Sequence, residues 1–182
     1  MDIRTATDAD AEAISLMHRD IQALHARGLP HLFRPPSPES FAPERVRSLL
    51  QHGSVRMLIG VSGAVPVGYV FAEIVRQGGS VLRLPLDYVY VSHLAVAPAH
   101  RRCGYGSHLL RAVADLARAE GVAGVALDVW VFNESAQAFY AAQGFAPLQA
   151  RLWKDLPAEG AAPTGEGAST SASVPGAQGD ED

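Results

Sequence analysis

Apolar residues near the N-terminus recur at helical spacing and share one face: Ile14, Met17, Ile21 and Leu24. Just before them, Thr7 stands three residues ahead of Asp10, an arrangement like the capping box that begins a helix. We therefore predict a first helix that starts after Thr7 and ends at about His25. A second apolar face, on residues 104–120, predicts a later helix that Gly121 terminates.

Other stretches are rich in Val, Ile and Tyr and predict strands. The predicted strands cover residues 2–6, 54–62, 65–76, 86–96 and 124–131, with a last strand pair from Gly144 to near Trp153. Two further helices are predicted, over residues 44–50 and 133–143. Consecutive strands favour hairpins, and the later strand–helix–strand unit favours a parallel pair. The pattern therefore predicts an α/β fold with a mixed sheet and flanking helices.

The end of the chain differs in composition from the rest. From Asp155 onward there are six acidic residues, no Lys or Arg and no aromatic residue. A segment rich in Gly, Ala, Ser and Pro cannot bury enough apolar surface to offset its ordering entropy, so we predict that residues 155–182 are disordered. The predicted folded domain therefore covers residues 1–154.

Charge and apolar content argue against several classes of function. Residues 1–154 hold 13 acidic and 15 basic side chains, an excess too weak and scattered to indicate nucleic-acid binding. No apolar run reaches the roughly 18 residues of a membrane span, and the N-terminus lacks the features of a secretory signal. The single cysteine, Cys103, cannot form an internal disulfide, and no metal-ligand spacing is present. We expect a cytoplasmic protein that binds no metal and no membrane.

Arginines and glycines crowd the junction between the strand over 86–96 and the helix over 104–120. Backbone N–H groups at a helix N-terminus lack intrahelical partners, and glycines let them close around an anion. Residues 101–106 therefore suit a phosphate site, but they equally suit a flexible turn. No Gly-Lys-Ser/Thr follows, and Leu109 replaces the third glycine of a dinucleotide fingerprint, so neither nucleotide motif is present. Alone, this stretch does not decide between a turn and a phosphate site.

A second motif follows the next predicted strand. Asn133 is well placed as a helix N-cap, and Tyr140 lies near the end of the same helix, before Gly144 and Phe145. Two strand–loop–helix units, the first with arginine and two glycines and the second with Asn and Tyr, are together more specific than either alone.

With both motifs, the chain resembles the GCN5-related N-acetyltransferases (the GNAT family). That family's Arg/Gln-x-x-Gly-x-Gly/Ala pattern matches at Arg101, Gly104 and Gly106. Its second pattern matches at Asn133, Ala136, Tyr140, Gly144 and Phe145. The resemblance, which covers nearly all of residues 1–154, implies the GNAT fold: an acyl-CoA N-acyltransferase-like, central twisted mixed sheet flanked by helices. It also implies acetyl-coenzyme A (acetyl-CoA) as the acetyl donor.

The resemblance further implies where acetyl-CoA would bind. Its pantetheine arm would lie in a V-shaped opening between the strand ending at Val96 and the strand ending at Val131, paired with the backbone of Leu94 and Val96. The pyrophosphate would be held by a group of residues in the first motif: Arg101, Arg102, Cys103, Gly104, Tyr105, Gly106 and Ser107. Asn133 would contact the arm, and Tyr140 would protonate the leaving thiolate. Cys103 would then occupy a place in the pyrophosphate loop without acting as a nucleophile, because direct transfer needs none.

Direct acetyl transfer needs a base for the attacking amine, and two side chains stay open for this role. Glu73 lies within an apolar strand, and His93 titrates near neutral pH. A water relay from Tyr90 is a third route. Strict alternation places Tyr90 and His93 on opposite faces of their strand, although a bulge there would change this.

Two classes of function follow from the resemblance. The first is an N-acetyltransferase acting on a small-molecule or peptide amine; the resemblance implies a homodimer, since dimers are common in the family. In the family the first helices border the acceptor site, so Phe33 and Phe41 are candidates for its wall. The alternative is a non-catalytic acyl-CoA binder that senses or scaffolds. The acceptor is not specified by the sequence.

Overall fold

The structure, a computed structural model, describes residues 1–156. The chain divides into two compact units, the first over Met1–Ala146 and the second beginning at Pro147. The end of the folded domain at Lys154 stays a prediction. The residues predicted to be disordered lie outside the described residues, apart from Asp155 and Leu156.

Helices and strands of the first unit follow the order predicted up to its last helix. They are β1 (Asp2–Thr5), α1 (Ala11–Gly28), α2 (Pro43–Leu50), β2 (Val55–Ser62), β3 (Val65–Gln77), β4 (Leu86–Val96), α3 (Tyr105–Ala119), β5 (Gly124–Leu127) and α4 (Glu134–Ala142). Short 3-10 turns precede α1 and α3. None of the helices within residues 1–156 combines the length and apolar character needed to cross a bilayer.

The five strands form one sheet in the order β1-β2-β3-β4-β5. The first three pairings are antiparallel, and β4 pairs with β5 in parallel. The predicted hairpins, parallel pair and mixed sheet are therefore confirmed. A tight turn joins β2 to β3 at Gly63, whose φ of 61° is left-handed and favours glycine.

Helices cover both faces of the sheet. Against α1 and α2 lie buried side chains from β2 and β3: Met57, Ile59, Tyr69 and Phe71. Against α3 lie buried side chains from the other face of β3 and β4: Val70, Ala72, Val89 and Val91. We call these the α1 face and the α3 face. Because strand side chains alternate, Glu73 follows Tyr69 and Phe71 onto the α1 face.

The predicted capping box lies on the 3-10 turn Asp8–Asp10, which leads into α1. The Thr7 N–H donates to Asp10 Oδ2 at 2.8 Å, and Arg4 donates to both Asp10 carboxylate oxygens at 2.7 and 2.8 Å. The Arg4 guanidinium lowers the pKa of Asp10 to about 2. From this point α1 continues to Gly28, beyond the predicted end at His25.

One extra residue in β4 changes which side chains face α1. Phe71 pairs with His93 but Ala72 pairs with Val91, so Ser92 is left over and forms a bulge. The bulge brings His93 to the α1 face, where its ring contacts Phe41. Tyr90, paired with Glu73, lies on the same face. The placement of Tyr90 and His93 on opposite faces by strict alternation is therefore wrong.

Two predicted strands differ from the structure. β5 ends at Leu127, not Val131, because the chain turns: the Asn133 N–H donates to the Trp130 carbonyl at 2.9 Å. The predicted last strand pair is also wrong, since residues 145–156 contain no strand. Pro147 has no N–H to donate to a ladder, although Leu148, Leu152 and Leu156 keep a strand's period of two.

Candidate active site

The junction of β4 and α3 presents a run of unpaired backbone donors. The N–H groups of the six residues 102–107 donate no hydrogen bond within residues 1–156. The first helical bond here runs from the His108 N–H to the Gly104 carbonyl at 3.1 Å. We call residues 102–107 the amide run. Because it includes the N-terminus of α3, which carries partial positive charge, it is suited to hold an anion.

Left-handed backbone shapes the amide run. Gly104 has a φ of 79°, and Arg102 has a φ of 61°, the only positive φ of a non-glycine residue in the described part of the chain. A left-handed arginine costs about 1–2 kcal/mol. Successive residues with alternating backbone hand direct their N–H groups towards a common centre. The strain is therefore stored where the predicted phosphate site lies.

A glycine connects the two sequence motifs. A Cβ atom placed on Gly106 would lie 3.1 Å from Cζ of Phe139, on α4. The absence of a side chain at Gly106 lets the Phe139 ring approach α3 closely. The amide run and the second motif are therefore parts of one packed unit.

The sheet opens beside the amide run. Pairing between β4 and β5 stops at Val91 and Leu127, whereas β4 continues to Val96. The Ala97 N–H donates to the Val67 carbonyl of β3 at 2.9 Å, so alternation turns the backbone of Leu94 and Val96 towards the open side. An extended amide chain can pair with such an edge.

Arg101 does not point into the amide run. Its Nε donates to the Val96 carbonyl at 3.0 Å, and its guanidinium pairs with Asp20 of α1 at 3.3 Å. The predicted contact with a pyrophosphate therefore requires this side chain to move. In the structure the Arg101 side chain instead donates to the Val96 carbonyl, one of the backbone groups that the resemblance pairs with the pantetheine arm.

The second motif places its two polar residues at opposite ends of α4. Asn133 caps the helix as predicted, with its Oδ1 accepting from the Ala136 N–H at 3.2 Å. Its Nδ2 keeps two hydrogens for other acceptors. Tyr140 packs against Phe139 and Phe145, with ring centroids at 5.3 and 5.7 Å. Burial raises the pKa of Tyr140, which therefore stays protonated at neutral pH.

Glu73 stands at the centre of a polar group on the α1 face. Ser92, the bulged residue, donates its hydroxyl to Glu73 Oε2 at 3.2 Å, and Tyr90 lies directly opposite Glu73 in the ladder. The Tyr90 hydroxyl donates to Asp128 Oδ2 at 3.0 Å. Burial, followed by this hydrogen bond, raises the pKa of Tyr90 to about 12.

His93 lies beside this group but in an apolar setting. Its ring centroid is 4.6 Å from that of His18 and 5.3 Å from that of Phe71. Burial lowers the pKa of His93 to about 3, and that of His18 to about 4. The Tyr69 hydroxyl, whose pKa burial raises, lies 3.3 Å from His93 Nδ1 and can donate to it.

A cluster of aromatic rings lies between the segment after α1 and the loop after β5. Phe33, from the segment after α1, meets Trp130 edge to face at 5.3 Å and His25 at 4.9 Å. Phe132 lies 6.3 Å from His25. We call these four side chains the aromatic rim. It joins the Pro-rich segment to the loop between β5 and α4, and Phe33 is one of the two predicted wall residues.

The structure brings some candidate residues together and not others. Glu73, Tyr90 and His93 share the α1 face, whereas within residues 1–156 no hydrogen bond joins Tyr140 to any of them. Sequence reasoning missed Asp128 as a site residue, although it is the one acid in an otherwise apolar stretch over 124–131. In the described part of the chain, no three His, Cys, Asp or Glu side chains cluster as metal ligands.

Comparison with solved structures finds the same architecture in known proteins. A mutant of the BH1408 protein from Bacillus halodurans superposes with a TM-score of 0.82 at 25% identity, covering 86% of this chain and 99% of that one. The aminoglycoside N-acetyltransferase AAC(6')-Iy, in complex with CoA, gives a TM-score of 0.63 at 18% identity, covering 86% of this chain and 100% of that one. The aminoglycoside 6'-N-acetyltransferase AAC(6')-IG from Acinetobacter haemolyticus gives 0.62 at 20% identity, with 87% and 100% covered.

At the level of sequence, no curated protein is significantly similar to the chain. A family model does match: that of the acetyltransferase (GNAT) family, over residues 26–145. This range includes both motifs, Glu73 and the amide run. The chain therefore belongs to the GNAT family of acetyltransferases.

Proposed function

We propose that the chain is an N-acetyltransferase that moves an acetyl group from acetyl-CoA directly to a primary amine of a small molecule or peptide. The observation that carries the proposal is the amide run beside the open edge of β4. A pyrophosphate can accept from N–H groups of the amide run, and the amides of a pantetheine arm can pair with Leu94 and, once the Arg101 side chain leaves its carbonyl, with Val96. The CoA complex of the neighbour AAC(6')-Iy supports the same donor.

In this proposal Glu73 is the base. The amine nitrogen bonds to the acetyl carbon as the carbon–sulfur bond breaks, and the proton that the amine loses goes to the Glu73 carboxylate, directly or through water. Ser92 orients that carboxylate through its hydroxyl. The Glu73 carboxylate accepts a side-chain hydrogen bond from Ser92, and it forms no salt bridge within residues 1–156.

His93 fits the role of base less well. A base is most effective when its pKa lies near the working pH, and burial holds the pKa of His93 at about 3. When Tyr69 donates to Nδ1, the ring proton of neutral His93 resides on Nε2, so neither nitrogen is free to take a proton. We propose that His93 instead orders the aromatic packing beneath the site.

Tyr140 supplies the proton that the departing thiolate takes. Its phenol is protonated at neutral pH because burial raises its pKa. A Tyr140→Phe change should lower kcat about 10²-fold or more, since general acids contribute roughly 10²–10⁴. Binding of acetyl-CoA should stay within about twofold, because the hydroxyl acts on the leaving group. Unchanged turnover and an unchanged pH profile would contradict this role.

The test of the proposed function is the release of CoA from acetyl-CoA, measured against a panel of small and peptidic amines. Mass spectrometry of the acetylated amine should account for each CoA released. Calorimetry with acetyl-CoA alone provides the second readout. Tight binding without turnover on any amine would favour the alternative, a non-catalytic acyl-CoA sensor. Homodimer formation and cytoplasmic location stay predictions from the sequence.

A further inference from the structure

Two carboxylates of the acceptor region, like Asp2, Asp8, Glu39 and Glu134, lack the arginine partner that seven other acids of the first unit have. Salt bridges to arginine hold a group of these other acids: Asp10, Glu12, Asp20, Glu44, Asp87, Asp115 and Glu120. Neither Glu73 nor Asp128 makes a salt bridge within residues 1–156. Both instead accept from a neutral hydroxyl, of Ser92 and Tyr90 respectively.

Tyr90 links these two carboxylates. It donates to Asp128 and lies directly opposite Glu73 in the β3–β4 ladder. The negative charges of Asp128 and Glu73 both contribute to the raised pKa of Tyr90, although burial contributes most. Negative potential therefore concentrates around the Tyr90 hydroxyl, where it would attract a cation.

Histidines on the α1 side do not neutralise this potential. Burial lowers the pKa of His18, His25 and His93, so all three are uncharged at neutral pH. Their rings add polarizable, apolar surface instead of positive charge. A cation at Glu73 and Asp128 therefore meets carboxylates without meeting a competing imidazolium.

The aromatic rim is partly open, and one of its members follows Asp128 closely in the chain. Trp130 is 38% exposed, although aromatic side chains of this size are mostly buried. It stands two residues after Asp128 and packs edge to face with Phe33. Aromatic faces bind both apolar groups and ammonium ions.

The loop that carries these side chains is held in place before any acceptor binds. The Asn133 N–H donates to the Trp130 carbonyl at 2.9 Å, and Gln137 Nε2 donates to the Val131 carbonyl at 2.7 Å. On the other side of the rim, the Phe33 N–H donates to the Leu29 carbonyl at 3.0 Å. A preformed site loses less conformational entropy when a ligand binds.

We propose that the acceptor is a small primary monoamine with one aromatic or apolar group. Its ammonium would lie between Glu73 and Asp128, and its apolar group would pack on Trp130 and Phe33. Asp128 and Trp130 are then residues that determine acceptor specificity. The inference rests on the proposed function, because it names the acceptor class for the same site. Amines with many hydroxyl groups are poor acceptors, since the rim is mostly apolar ring surface and offers such hydroxyls only the ring nitrogens of His25 and Trp130.

The experiment compares kcat/KM for 2-phenylethylamine, ethylamine and kanamycin. Ethylamine has the same ammonium without the ring, and kanamycin has several amines among many hydroxyls. We expect 2-phenylethylamine to exceed both by about tenfold or more, as apolar pockets discriminate by roughly 10–200-fold. Trp130→Ala should lower kcat/KM for 2-phenylethylamine about tenfold and leave ethylamine unchanged. Asp128→Asn should lower both monoamines about equally.

Val131→Ala is the matched control, since Val131 is in the same loop and 84% exposed. It should change none of the three values. Two outcomes would overturn the inference while leaving the proposed function intact. One is that kanamycin has the highest kcat/KM, and the other is that Trp130→Ala lowers kcat/KM equally for both monoamines. If no amine turns over, calorimetry of 2-phenylethylamine with the CoA-saturated protein decides. Binding weakened by Trp130→Ala would support the acceptor site without the transfer, and no binding would overturn it.

Discussion

The donor and acceptor halves of the candidate active site are built from different parts of the polypeptide. On the donor side, the groups offered to a ligand are backbone: the amide run at 102–107 and the open edge of β4. On the acceptor side they are side chains from separate elements, namely Glu73, Tyr90 and Asp128 with the aromatic rim. Backbone groups are the same whatever the side chains, so they suit an unchanging ligand, whereas side chains can vary with the acceptor.

This difference determines which mutations affect which half. A side-chain change in the acceptor half should alter transfer without altering acetyl-CoA binding. A change in the donor half should act through backbone shape, so glycines are the sensitive positions. The two kinds of measurement, acetyl-CoA affinity and amine turnover, therefore separate the halves.

The largest effect is expected in the acceptor half, from Glu73→Gln. The amide keeps the size and the hydrogen bond from Ser92 but cannot take a proton. We expect kcat/KM for the amine to fall about 10²–10⁴-fold, with acetyl-CoA affinity unchanged in calorimetry. Glu44→Gln, on the exposed surface of α2, is the control and should behave as wild type. A Glu73→Gln protein with normal turnover would remove Glu73 from the proton path.

Acid should destabilise the folded protein, because His18 and His93 beside the acceptor half must take up protons as the pH falls. Burial holds their pKa values at about 4 and about 3, below the ordinary 6.5. Between about pH 4 and 6.5 the unfolded chain therefore binds more protons than the folded one. The free energy of unfolding should fall as pH falls, by about 1.4 kcal/mol per pH unit for each histidine.

Urea unfolding at several pH values measures this slope. His18→Phe removes one of the three rings whose pKa burial lowers, so its slope should be about 1.4 kcal/mol per pH unit smaller than that of wild type over the same pH range. The slope is the readout, which makes any change in absolute stability irrelevant. Equal slopes in both proteins would mean that His18 is not held neutral by burial.

In the donor half, Gly106→Leu should displace Phe139 and distort the amide run. A Cβ at position 106 already lies 3.1 Å from Cζ of Phe139, and leucine adds further atoms. We expect the Kd for acetyl-CoA to rise about tenfold, or 1.4 kcal/mol. Gly53→Leu is the control, because nothing lies within 4 Å of a Cβ there. Adding Phe139→Ala to Gly106→Leu should recover part of the affinity; no recovery would argue against this contact.

The smallest effect is expected from Gly104→Ala. Alanine at a φ of 79° costs about 1 kcal/mol, and part of this cost should appear as a severalfold weaker acetyl-CoA affinity. Gly63→Ala, with a φ of 61° in the β2–β3 turn, should lose similar thermal stability but no affinity. Equal affinities of the two variants would show that the shape at Gly104 does not matter to binding.

The same contrast explains what the sequence could predict. The donor half depends on a contiguous stretch, so its glycines and the N-cap Asn133 were recognisable as a motif. The acceptor half depends on pairing between distant strands, and one bulged residue, Ser92, moves His93 to the face that strict alternation excludes. Asp128 becomes a site residue only because β5 stops one residue earlier and Tyr90 reaches it.

The same physical limit applies to the strands. Those with continuous apolar patterns, such as β4, were predicted with the observed bounds. The prediction of a strand pair after Gly144 is wrong. A strand forms only where a neighbouring strand pairs with its backbone, and Pro147 has no N–H to donate to such a neighbour. Partner availability is a property of the fold and not of the local sequence.

The central claim is that backbone amides hold the donor while side chains of the α1 face hold the acceptor. Amide chemical shifts in a ¹H–¹⁵N NMR titration test it most directly, first with acetyl-CoA and then with 2-phenylethylamine added to the CoA complex. We expect acetyl-CoA to shift the amide protons of residues 102–107 most strongly. The amine should then shift Asp128 and the Trp130 indole N–H. If acetyl-CoA leaves the chemical shifts of the amides of residues 102–107 unchanged and shifts those of other residues, these amides do not hold the donor.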